Sequence, residues 1–140
     1  MFSPSSPSQA YSKVSVDNGV MTASPHKLIQ MLFDGALLAV ADARSSMSKR
    51  EVAKKGAAIS RAIEIISNGL KASLDFNTGG DLAERLGSLY DYMCDRLFHA
   101  NLHNDAAALQ EVSTLLTELK SAWEEIADDP AVLSQNRDAA

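Results

Sequence analysis

A chain of 140 residues fits one domain, and its 46% hydrophobic content supplies enough apolar side chain for a core, which argues against wholesale disorder. The net charge of -5 and pI near 5.1 argue against a nucleic-acid binder, which usually carries a basic excess. Cys94 is the only cysteine, so no internal disulfide is expected, and no apolar run approaches the about 18 residues that span a bilayer, which argues against membrane insertion.

Residues 1–23 read as an irregular arm. Pro4, Pro7 and the surrounding serines disfavour regular structure, and Asn18-Gly19 is a turn signal. The first ten residues have neither the basic start nor the apolar core of a secretory signal, so the cytosol is the expected compartment. Tyr11, Val14 and Val16 are apolar positions that a solvated tail rarely needs, which predicts that part of the arm lies on the body of the protein.

The first helix is predicted from Ser24-Pro25 to about Met47, with serine capping free amides and proline at the first helical position. Leu28, Ile29, Leu32, Phe33, Ala36, Leu37, Ala39, Val40 and Ala43 form its apolar face, leaving Met31 and Leu38 on the opposite side. Ser48-Lys49-Arg50-Glu51 has the form of a capping box and predicts a second helix over 49–74. Its main stripe is Val52, Ile59, Ile63, Ile66, Leu70 and Leu74, with a quieter one of Ala58, Ala62, Ile65, Gly69 and Ala72. Asn77-Thr78-Gly79-Gly80 reads as a break, and Asp81 with Glu84 as the start of a third helix over 82–102. Its stripe is Leu82, Leu86, Leu89, Met93, Leu97 and Ala100, with Tyr90 at the border and Tyr92 and Phe98 off it. The fourth helix, 105–127, carries Leu109, Val112, Leu115, Leu116, Leu119, Trp123 and Ile126 and ends at Asp128-Asp129-Pro130. The tail over 128–140 is polar, with Val132-Leu133 able to form a short fifth helical turn.

Four helices joined by short connections predict an all-α fold, an antiparallel up-down four-helix bundle over 24–127. Such bundles often house metals, but the Glu-x-x-His pairs of di-iron proteins are missing. Asp95, His99 and His103 stack at four-residue spacing and could hold a divalent ion, although they point away from the core stripe. His26 reads as a surface residue of a first turn and Cys94 as a small packing hydrophobe. The basic cluster Arg44, Lys49, Arg50, Lys54, Lys55 and Arg61 reads as a solvated helix face, or as a contact for an acidic partner. No phosphate loop, nucleophile elbow or Cys-x-x-Cys pair occurs, so neither an enzyme nor a cofactor is expected.

What remains is apolar surface beyond the needs of a core: Met31, Leu38, Ile65, Tyr92 and Phe98. Surplus of this kind marks a docking groove for an amphipathic helix or extended segment. The competing reading is that the arm or the tail covers these residues within one chain, and the pattern leaves both open. A metal-binding bundle, or a scaffold that dimerises through the same surface, are the alternatives from other classes.

Several segments together resemble one family. They are Ala10-Tyr11, the run Thr22-Ala23-Ser24-Pro25-His26-Lys27-Leu28-Ile29-Gln30-Met31-Leu32-Phe33-Asp34-Gly35-Ala36, Leu86-Gly87-Ser88-Leu89-Tyr90-Asp91-Tyr92-Met93, Leu97, Ala100-Asn101, Leu115-Leu116, Leu119 and Ala122-Trp123. Their order and spacing are similar to the flagellar secretion chaperone family, FliS, over about residues 10–123. The resemblance implies a cytosolic bundle that binds the disordered C-terminal segment of flagellin in hydrophobic grooves, prevents premature filament formation and delivers the client to the export apparatus. It also implies that the arm, through Tyr11, packs over part of the same surface. The flagellin-binding residues expected on these grounds are Tyr11, Val14, Val16, Met31, Leu38, Ile65, Tyr92 and Phe98. Further partners would be export-gate components or a cochaperone, and a homodimer without client.

Overall fold

The computed structural model describes residues 24–126; Tyr11, Val14, Val16 and the turn expected at Val132-Leu133 lie outside them. Helix α1 is Pro25–Ser48. Helix α2, Val52–Glu64, continues without interruption into a π-helical stretch, Ile65–Lys71. Helices α3, Phe76–His103, and α4, Ala106–Glu125, complete an all-α four-helix bundle. Cross-helix pairs run in opposite senses at each step round the ring. Arg61 meets Asp42 and Ile65 meets Gly35 between α1 and α2. Lys71 meets Asp91 between the π stretch and α3, Arg96 meets Glu111 between α3 and α4, and Lys120 meets Asp34 between α4 and α1. The topology is up-down-up-down.

The middle of the bundle is closed by Val40, Ile59, Ile66, Met93, Leu97, Leu109, Val112 and Leu116, all fully buried. Between α1 and α2 the contact is made by small residues, Ala36, Ala39 and Ala43 facing Ala58 and Ala62. Ala58, Ala62 and Gly69 of the quieter stripe of the second helix are therefore buried, while Ala72, at the end of that stripe, and Val52, at the start of the main one, are exposed. A π turn takes one residue more than an α turn, and the π stretch buries Ile66, Gly69 and Leu70 together. Gly69 is fixed by a neighbour: a Cβ there would lie 3.0 Å from Leu32 Cδ2.

Helix ends differ from the sequence expectation in two places. The Ser48-x-x-Glu51 capping box does not form, because Ser48 is the last residue of α1. Instead the Glu51 amide donates to the Ser46 carbonyl at 2.9 Å and the Arg50 amide to the Met47 carbonyl at 3.1 Å. With Arg50 at φ 58°, this is a Schellman closure, which satisfies the orphan carbonyls of α1 instead of the amides of α2. The second difference is at 77–80, where helix begins early: Asp75 caps a turn from Phe76, and only Gly80, at φ 54° and ψ -133°, departs from helical geometry.

Lys55 leaves the predicted solvated basic face altogether. It is buried, and its ammonium donates to the Asn101 carbonyl at 2.9 Å and to Asn104 Oδ1 at 2.5 Å, tying the start of α2 to the end of α3. Arg61 pairs with Asp42 and Lys54 with Glu51, on the surface.

A left-handed backbone costs a non-glycine residue about 1–2 kcal/mol. Arg50→Gly, at a position with an exposed side chain, is therefore expected to raise the unfolding free energy by up to about 1 kcal/mol. Urea denaturation checks it, and an unchanged or lower midpoint would show that the Arg50 side chain contributes as much as its backbone loses.

Candidate functional site

At the end of the bundle where α1 and α3 begin and the π stretch and α4 finish, no layer of side chains among the described residues closes the interior. The result is an apolar groove of about 520 Å³. Phe33, Leu70 and Tyr90 form its buried floor, and Ile29, Leu74, Leu86 and Leu119 its walls. Leu82, 66% exposed, and Ile126 stand at its rim. Trp123 closes one side, and residues 75–80 form a lip through Asp75, Thr78 and Gly79.

A two-way clasp holds the α1 and α4 sides of the groove together. His26 Nε2 lies 2.7 Å from the Trp123 carbonyl, and Trp123 Nε1 donates to the His26 carbonyl at 2.9 Å. Because a carbonyl only accepts, His26 carries its proton on Nε2 in this pair. The rings stack at 4.6 Å with 6° between their planes. His26 is only 7% exposed, so the reading of it as a surface residue is corrected: the proline-started first turn delivers it inward against α4. Gln30 adds an outer link to Glu124 at 2.9 Å.

The groove has little charge. Among the described residues Asp75 is the one ionisable carboxylate on its lining, and hydrogen bonds from Thr78, then from the Asn77 amide, hold its carboxyl below the usual range. Burial pushes the Tyr90 phenol up to about 12, so it stays protonated across the physiological range. Ser73 donates its hydroxyl to the Leu70 carbonyl at 2.7 Å. Such a surface recognises apolar side chains by shape and dehydration.

The five nominated residues that fall among the described ones lie elsewhere. Leu38, 62% exposed, is on the outer face of α1, and Phe98, 61% exposed, on α3. Tyr92 is exposed and its hydroxyl donates to the Glu111 carboxylate, which also accepts from Arg96 at 2.7 Å. That hydrogen bond raises the Tyr92 phenol, while bonds from Tyr92 and then Arg96 lower the Glu111 carboxyl. Met31 and Ile65 are half-buried, Ile65 against Gly35. None of these five lines the groove. The groove residues were visible instead as the terminal members of the four core stripes. Their spacing shows which face is apolar and carries no information on whether anything covers it.

His99 and His103 lie with ring centroids 4.5 Å apart, but His99 Nε2 engages Asp105 at 3.2 Å. Among the described residues no group of three His, Cys, Asp or Glu side chains is placed to hold a metal ion. Cys94 is half-buried, and burial, then Asp91 and Asp95, push its thiol up to about 11.

With this geometry in place, the relatives decide the family. The family model for flagellar protein FliS matches residues 7–130. The chain belongs to the FliS family. It is 53% identical over 118 residues to the flagellar secretion chaperone FliS of Salmonella typhimurium, covering 84% of this chain and 87% of that one. It is 42% identical over 125 residues to the Escherichia coli flagellar secretion chaperone FliS, covering 89% and 92%. The more distant chaperone of the same name from Bacillus subtilis is 31% identical over 121 residues, covering 86% and 85%. The family match thus spans all the described helices, the groove and the clasp included.

Two outcomes test this geometry. A net hydrogen bond contributes about 1 kcal/mol, so His26→Ala should cost about 1–2 kcal/mol of stability in urea denaturation, counting the lost stack. An unchanged midpoint would show that the clasp carries no energy. The folded state holds the Cys94 thiol above its ordinary value of 9.0, so it favours the neutral form, and stability should fall as pH rises from about 9 through 11. At pH 8, where the thiolate is the reactive species, alkylation of folded protein should be slower than that of urea-unfolded protein by at least about tenfold. Equal rates would contradict the burial.

Proposed function

We propose that this protein is a cytosolic export chaperone that holds the disordered C-terminal segment of flagellin in the apolar groove, and that it binds without catalysing a reaction. The observation that carries this reading is an open, weakly charged groove in a chain whose relatives are named flagellar secretion chaperones.

A segment that must later pack helix against helix in a filament carries an apolar stripe, and free in the cytosol that stripe would self-associate. A bundle groove accepts such a stripe through anchors at i, i+3, i+4 and i+7. Ordering a disordered client costs about 2–5 kcal/mol or more, so the client must bury large side chains to be held. Leu82, Ile126, Leu74 and Trp123 supply them at the rim. No nucleotide is needed in this scheme: binding keeps the stripe covered, and capture of the client by the export apparatus removes it. No helix among the described residues is long and apolar enough to cross a membrane.

The exposed side chains of Leu38, Tyr92 and Phe98 are proposed as secondary contacts for a client longer than the groove, with Met31 and Ile65 as partial ones. Tyr11, Val14 and Val16 are proposed to contact the same client surface from the arm.

Leu82 and Ile126 are exposed, so Leu82→Asp and Ile126→Asp should leave helicity unchanged. Burying a leucine or isoleucine is worth about 1.5–3 kcal/mol, so each variant should weaken binding of a flagellin C-terminal peptide by about tenfold or more in calorimetric titration. Leu38→Asp and Phe98→Asp should have smaller effects. Full affinity in both rim variants would end the assignment of the groove, and no binding by the unmodified protein would end the flagellin reading.

A further inference from the structure

The lip of the groove is built differently from its walls. Residues 76–79 form a single helical turn between two non-helical points: Asp75 on one side, extended at φ -103° and ψ 98°, and Gly80 on the other. The turn is held by bonds to Asp75. The Asn77 and Thr78 amides donate to its carboxylate at 3.0 and 3.2 Å, and the Gly79 amide donates to its carbonyl at 2.7 Å.

The two glycines have different tasks. A Cβ on Gly79 would lie 2.7 Å from the Cβ of Ala83, so Gly79 lets the turn fold back tightly on α3. A Cβ on Gly80 would meet nothing within 4 Å. No close neighbour demands glycine there; the backbone conformation does, and the surroundings leave room for it to change. Small residues at an element's end that absorb such backbone changes are what hinges are made of.

This turn carries one large apolar side chain, Phe76, and seats it on a glycine. A Cβ on Gly87 would lie 3.3 Å from the ring's Cζ and 3.7 Å from Leu74 Cδ1. The ring therefore fills the notch that Gly87 leaves beside Leu74, a groove wall, yet 48% of Phe76 remains exposed. A half-exposed aromatic ring on one hinged turn is weakly held compared with the closed middle of the bundle, where stability is concentrated.

We propose that residues 75–80 are a hinged lip and that Phe76 is its removable plug: an entering client segment swings the turn about Gly80 and puts an apolar side chain of its own into the Gly87–Leu74 notch. This rests on the groove as the client site. It assigns Phe76, Gly80 and Gly87 a gating role that the groove alone does not require. The closed lip lowers the apparent affinity of any apolar occupant by the fraction of time that the notch is open.

The test uses the full-length protein and its Phe76→Ala variant, with two probes. The first is the apolar dye anilinonaphthalene sulfonate, which needs no client. The second is the flagellin C-terminal peptide, followed by stopped flow. With the plug removed, dye affinity and peptide association rate should both rise several-fold, and circular dichroism should show the same helicity. Peptide binding with dye affinity and association rate unchanged would overturn the lip and leave the client assignment standing. A dye response without peptide binding in either protein would keep the lip and overturn the client. A fall in both would show that Phe76 is a fixed wall of the site, which also overturns the lip. If Phe76→Ala loses helicity, Phe76→Val, whose shorter side chain leaves part of the notch uncovered, takes its place, with a rise or its absence read in the same way.

Discussion

The four helices carry their apolar stripes to one end of the bundle, and among the described residues no further side chain covers them there. In the middle, leucine, isoleucine, valine and methionine drawn from the four helices fill the interior, and α1 and α2 both bury small residues there. At the open end the same stripes continue as Ile29 and Phe33, Leu70 and Leu74, Leu82 and Leu86, Leu119 and Trp123. They face one another across about 520 Å³. The devices around this space fix the positions of its walls. The His26–Trp123 clasp fixes α1 against α4, Gly69 lets the π stretch sit close on Leu32, and Asp75 organises the lip.

In the proposed reading this arrangement divides the molecule into a part that folds and a part that binds. The closed middle and the Lys55 tie between α2 and α3 need no partner. The open end combines rim residues that are already exposed with a floor that stays buried, so an occupant adds contacts without unfolding the bundle. Near-absence of charge on the lining suits a client recognised by its apolar stripe, and the surface ion pairs lie outside it.

Much of the fold was legible in the sequence because helix stripes at ~100° per residue are a strong signal. Ser24-Pro25 marked the start of α1, and Asn104-Asp105 the turn into α4, where Asp105 accepts from the Ala108 amide. Less legible were features set by tertiary competition. Ser48 and Glu51 have the right letters for a capping box, but a Schellman closure of the preceding helix took that backbone first. Asn77-Thr78-Gly79-Gly80 has the composition of a loop, yet Asp75 upstream caps it into helix, and the break narrows to Gly80. His26 looked solitary because its partner, Trp123, is far away in sequence and near in space.

The groove lies at other positions than those the sequence singled out for client contact. Apolar surplus was sought among side chains that leave the stripes, such as Leu38 and Phe98, and these are indeed exposed. A further surplus lay within the stripes, at their ends, where helical periodicity cannot separate a buried leucine from an uncovered one. The chain's single tryptophan, Trp123, lines that groove, which makes its fluorescence the most direct measurement of the central claim. Titration with the flagellin C-terminal peptide should give a saturable change in Trp123 emission toward shorter wavelength as the groove dehydrates. Calorimetric binding with no change in that emission would place the client elsewhere and contradict the account.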